Sequence, residues 1–248
     1  MRTYLDKIMS ELDELGISLS NAIRTNRNNR LITAYQLIKK IRNNVYSLTI
    51  LLEDNNAQTS KNLIYRCIFS DIMTALYLLD INDSEFEYST DLLNIKHIKY
   101  FMEVIPIRLK VARKLFKTVP CEEINEQSQF DKYYDFFKNY LKNEKGKPWI
   151  INILPNNKSI IFNGTIKSIF EYLIKCEKNE NLQALSNLYM YYKNLSQSEH
   201  FSLVGSNYPL YSESDVNWYL EMDAAIYSGI VEIKNLSCQY IMPLKQKN

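Results

Sequence analysis

The chain has 248 residues, 46% of them hydrophobic, and its 30 basic and 28 acidic side chains leave a formal charge of +2. That length supports a core without disulfides or metals, and the near balance of charge supplies no global field to draw the protein onto nucleic acid or a membrane surface. Five glycines and six prolines are few for this length, so turns are sparse and the elements long.

Leu5, Ile8, Met9, Leu12, Leu15, Leu19 and Ile23 recur at helical spacing before the polar stretch RTNRNNR at 24–30, which predicts a first helix and its loop. A second helix is predicted over about 31–52, ending at EDNN, and a third over about 60–79 with Thr59 or Ser60 as its cap. Short links between them make these helices antiparallel neighbours. Residues 84–117 keep the helical period but are interrupted at Pro106, whose ring clashes with the preceding turn. FDKYYDFFKNYL at 130–141 reads as an aromatic-rich helix. In GKPWIINILPNNKSIIFNG two β-branched runs flank Pro155, Asn156 and Asn157, predicting a small β-hairpin insertion near 149–162. Helical spacing returns over 165–176, 181–200 and 212–240, the last with Ser212 or Ser214 as a cap. The expected fold class is therefore all-α, a multi-helix antiparallel bundle forming one domain over 1–248, with sub-lobes 1–143 and 165–248 joined by the hairpin segment.

Cys67, Cys121, Cys176 and Cys238 lie far apart with no C-x-x-C pair, so neither a zinc knuckle nor a redox motif is spelled out and no cofactor or metal is expected. Reduced thiols fit a cytoplasmic location. The start MRTYLDKIMSELDEL carries acids through what would be the apolar region of a signal peptide, and no run of about 18 uncharged apolar residues occurs. No membrane partner is expected.

Projecting each helix at about 100° per residue turns the search for a site into a search for charges in apolar sectors. Asp71 falls in the arc of Leu63, Ile64, Cys67, Ile68, Ile72, Ala75, Leu78 and Leu79, where a carboxylate requires a partner. Arg42 stands among the inner-face residues of the second helix, which predicts an Arg42 to Asp71 ion pair that sets helix register. Arg66 is the second choice. Ser196 and His200 continue the sector of Leu182, Leu185, Leu188, Tyr189 and Tyr192 at four-residue intervals. A protonated imidazole at that helix end is favoured by the dipole, and a nearby carboxylate raises its pKa. The candidate catalytic group is thus His200, Ser196, Asp71 and Arg66 or Arg42, to be weighed against a satisfied core histidine and a purely structural ion pair. No G-x-S-x-G elbow supports a serine hydrolase, and His97, flanked by lysines, reads as an exposed helix residue.

RTNRNNR, KKIR at 39–42 and RLKVARKLFK at 108–117 are candidate phosphate contacts, with tyrosine and phenylalanine available for stacking. Such runs on helices also read as solvated faces, and no recognition motif accompanies them.

YRCIFSDIMTALYLL and YYKNLSQSEH together resemble a bacterial all-α family with an arginine-plus-acid helix and a Tyr-x-x-Leu-Ser-x-x-x-His stretch, some members of which are HEPN-like. The matching positions are Arg66, Asp71, Tyr192, Leu195, Ser196 and His200. The resemblance implies an all-helical fold and interest in His200. HEPN ribonucleases place an arginine four to six residues before the histidine, whereas Asn194, Leu195 and Ser196 occupy that region here. Two functional expectations follow. The first is a non-enzymatic module that binds a protein partner or associates with itself. The second is a nucleic-acid-directed toxin or defence protein, an HEPN-like ribonuclease acting on RNA, with His200 as acid/base and Arg66 or Arg42 on phosphate.

Overall fold

The computed structural model describes residues 2–52, 54, 57–90, 92–93, 141–144, 147–150, 164–176, 179–197 and 216–241. Helix α1 spans Arg2–Thr25 and α2 spans Asn29–Leu51. Leu5, Ile8, Leu12, Leu15 and Leu19 advance by alternating steps of three and four, as do Leu31, Ala34, Ile38, Ile41, Val45 and Leu48, and all are buried. Each helix therefore carries one apolar stripe, and α1 packs on α2. Asn28 caps α2 by accepting from the Arg30 backbone N–H at 2.8 Å, which starts the helix ahead of the expected Leu31.

Helix α3 (Gln58–Asp80) is the hub. Neither Thr59 nor Ser60 caps it; the cap position is Ala57, with no side-chain bond. Tyr65, Ile68, Phe69, Ile72, Met73, Leu76 and Leu79 bury one face, and Asp71, Ala75, Tyr77 and Leu78 extend burial around most of its circumference, against α2, α4 (Ile166–Leu173), α6 (Leu188–Gln197) and α7 (Val216–Ile241). By length and composition α3 could cross a bilayer, yet 67% of that apolar stretch is buried inside the protein, as in a core helix that is apolar all round. Helix α7 also packs on α1. A Cβ at Gly229 would stand 2.6 Å from Cγ2 of Ile72, so the bare glycine is what admits α3 so close to α7.

Thr165 caps α4, its Oγ1 accepting from the Ser168 N–H at 3.2 Å. The expected single helix over 181–200 is instead two, α5 (Glu180–Leu185) and α6, parted at Ser186 and Asn187. The reason lies in the spacing of buried Leu182 and Leu188. Six residues along one helix would rotate them about 120° apart, and the break allows both to be buried. Asn179 caps α5 through the N–H groups of Asn181 and Leu182.

The chain divides into two compact units, 1–82 with 165–248, and 83–164. The expected sub-lobes 1–143 and 165–248 are thereby corrected: α7 packs on α1 and α3, so the two ends of the chain build one unit. In the other unit residues 83–90 are helical, and β1 (Leu141–Glu144) pairs antiparallel with β2 (Lys147–Ile150). The hairpin expected near 149–162 is not supported. Trp149 and Ile150, assigned to its first arm, pair back onto Lys142 and Leu141. Pro106, the expected turn at Pro155, Asn156 and Asn157, most of the 130–141 segment and the caps Ser212 and Ser214 lie outside the described residues. The fold class is all-α, as helical periodicity dictates.

Candidate functional site

Each buried charge must find a partner, and the partners found differ from those expected. Asp71, 8% exposed at its side chain, accepts from Lys40 Nζ at 2.7 Å, while its second oxygen is buried without a hydrogen bond. Burial raises its pKa, and the Lys40 hydrogen bond and charge pull it back. Arg42 pairs instead with Asp13 of α1. The expected Arg42 to Asp71 pair is corrected, because residues 40 and 42 point about 200° apart around α2. One serves α3 and the other α1.

Arg66 and Tyr192, both positions of the family resemblance, do come together. The guanidinium lies 5.3 Å from the ring centroid, within cation–π range. Tyr192 in turn stacks near Tyr189, and Tyr189 on Phe170 at 4.5 Å. Ser196 donates back to the Tyr192 carbonyl of its own helix at 2.7 Å, so its hydroxyl is committed locally. Neither Ser196 nor Asp71 hydrogen-bonds the other, and His200 lies outside the described residues.

A second buried carboxylate escaped the sequence reading. Asp223 on α7 is fully buried; it accepts from the Tyr65 hydroxyl at 2.8 Å, and its other oxygen has no hydrogen bond. Burial pushes its pKa up to about 6 against the opposing pull of Tyr65. Burial likewise drives the Tyr65 phenol far above its usual range, and the Asp223 charge adds to this. The signal was present: at 100° per residue Asp223 lies close to Ile230 on the helical wheel. Nearby, Gln58 donates to the Tyr219 hydroxyl, which reaches Asn62 at 3.5 Å. The Asp223–Tyr65 pair is closed by packing and reads as structural, while Gln58 and Tyr219 are half-buried.

Two further charges are consumed by the scaffold. Arg30 donates to the Leu78 carbonyl at 2.7 Å and lies under Tyr240, whose hydroxyl donates to the Leu79 carbonyl at 2.8 Å. Both bonds satisfy the C-terminal end of α3. Glu232 receives carboxamide N–H groups from Asn179, Asn181 and Asn235 at 3.1–3.4 Å, beside a hollow of about 330 Å³ edged by Tyr227 and Ser228.

A larger concavity runs between α1 and α2, a groove of about 490 Å³. Asp13, Ile17 and Arg24 line it from α1, Lys39 and Arg42 from α2, over a floor of Leu12 and Ile38. Steps of three and four residues bring these side chains to a common face of each helix. Gly16 leaves a notch, for a Cβ there would meet nothing within 4 Å, and Ile17 is 64% exposed beside it. Arg24 and Lys39 have no ionic or hydrogen-bonded partner among the described residues.

Among the described residues no group of three or more histidine, cysteine or acidic side chains could hold a metal. Cys67, Cys176 and Cys238 form no disulfide among the described residues, Cys176 donating to Asp80 at 3.5 Å, and Cys121 lies outside the described residues. Compared with protein-family models, curated proteins and solved structures, the chain matches none.

Proposed function

We propose that the chain is a non-catalytic binding module, an antiparallel helical bundle that presents the α1–α2 groove to a protein partner or a second copy of itself. One observation carries this reading: the groove keeps two uncompensated cations, Arg24 and Lys39, around an exposed Ile17, where a free surface has no structural need of them. The groups proposed for chemistry are by contrast spent inside the fold, Asp71 on Lys40 and Ser196 on its own helix. A photo-crosslinking residue placed at Ile17 in the full chain, and separately at Met190, which is similarly exposed at 57%, tests it in host lysate. Adducts formed from position 17 and not from 190, whether with another protein or at twice the chain mass, support the module. Identical adducts at both positions, or none, overturn it.

A second reading rests on the contact between Arg66 and Tyr192, which joins two positions of the HEPN-like resemblance. Under it the protein acts on RNA through His200. Purified protein incubated with total RNA decides the matter: cleavage abolished by His200→Ala supports it, and intact RNA or unchanged cleavage removes it.

A further inference from the structure

From the charge and shape of the α1–α2 groove we infer that its occupant is an acidic amphipathic protein segment, carboxylates on Arg24 and Lys39 and an aliphatic side chain in the Gly16 notch. This rests on the binding-module reading and names the chemistry of its partner. Within the groove the carboxylate of Asp13 is neutralised by Arg42, which grips it through Nε and Nη2. Arg24 and Lys39 on the opposing walls are left as net positive charge, and both are exposed. A ligand with negative charge gains at both walls, and a basic one is repelled.

The exposed apolar surface argues for a protein segment rather than a simple anion. Ile17 is 64% exposed, and the vacant space over Gly16 beside it accepts an aliphatic group that would otherwise stand in water. Asn21 and Asn43 at the rim supply carboxamides able to pair with peptide backbone. A volume of about 490 Å³ falls within the range of about 300–1,000 Å³ common to ligand sites.

Nucleic acid fits less well. A phosphate backbone is held by rows of free cations and, when single-stranded, by stacking rings. The basic stretches that flank the groove have lost Arg30 to the end of α3 and Lys40 to Asp71, and among the described residues Tyr35 is the single aromatic one lining it.

Fluorescence anisotropy on the full chain tests the inference with three labelled probes: a peptide of roughly 12 residues mixing glutamate and leucine, its lysine counterpart, and a short single-stranded RNA. The acidic peptide is expected to bind, the lysine peptide not. Binding should weaken about tenfold or more in the Arg24→Glu, Lys39→Glu double variant and on raising salt to about 0.3 M. Gly16→Leu, which fills the notch without altering charge and whose Cβ meets nothing within 4 Å, should weaken it several-fold while circular dichroism is unchanged. Equal binding of both peptides, preference for RNA, or indifference to both groove variants overturns the inference. So does a dimer in sedimentation that Gly16→Leu dissolves while no peptide binds, since the groove then receives a second copy. Crosslinking specific to Ile17 without acidic-peptide binding removes this inference alone and leaves the module standing; loss of both removes both.

Discussion

Replacing Asp223 with asparagine isolates what a fully buried carboxylate costs this fold. Its pKa rises from 3.8 to about 6 on folding because burial disfavours the charge more than the Tyr65 hydroxyl favours it. A carboxyl whose pKa is higher in the folded state binds its proton more tightly there. Its contribution to stability is therefore full below about pH 3.8 and is lost as pH rises through about 6. The displacement corresponds to about 3 kcal/mol. Asparagine keeps an oxygen to accept from Tyr65 and cannot ionise, so Asp223→Asn is expected to gain on the wild type as pH rises. The gain is about 0.5 kcal/mol at pH 4 and approaches about 3 kcal/mol above pH 7, relative to any constant offset. Asp71, also raised by burial, is present in both proteins and cancels from the difference. Urea unfolding of the two proteins at matched pH values from about 4 to 7.5 measures it. A difference that is flat with pH, or that falls as pH rises, refutes the reasoning.

Gly229→Ala puts a methyl group 2.6 Å from the β-branched Ile72. It should lose about 1–3 kcal/mol of stability despite alanine's better helix propensity, and Ile72→Leu, which removes the offending branch, should restore part of it in thermal unfolding. Arg30→Met strips a charged donor from the buried Leu78 carbonyl, and a loss of about 1.5–3 kcal/mol is expected by denaturant titration; loss below about 0.5 kcal/mol would show the carbonyl finding water instead. Lys40→Ala should raise the Asp71 pKa, followed by NMR of its carboxyl, while Arg42→Ala leaves it unmoved. Because Lys40 is 60% exposed, its coupling to Asp71 in a double-mutant cycle should stay below about 1 kcal/mol.

The sequence reading recovered what depends on neighbours along the chain. The stripes Leu5 to Leu19 and Leu31 to Leu48 were visible, and the helix beginning near Thr165 was placed, because a helix repeats every 3.6 residues. Half of the groove was also legible, since RTNRNNR and KKIR marked Arg24, Lys39 and Arg42. Their convergence across two adjacent helices was not. Asp71 was rightly seen to require a partner, yet whether Lys40 or Arg42 supplies it depends on the rotation of α2 against α3 and α1, which no local pattern encodes. Asp223 meets Tyr65 across 158 positions, and the break at Ser186 arises only because Leu182 and Leu188 must both be buried in the folded protein. Periodicity is a property of one helix alone and is therefore written in the sequence. Which faces meet is chosen by the packing of all of them at once, so ion-pair partners, the approach of Gly229 to Ile72 and the open groove were decided by tertiary structure.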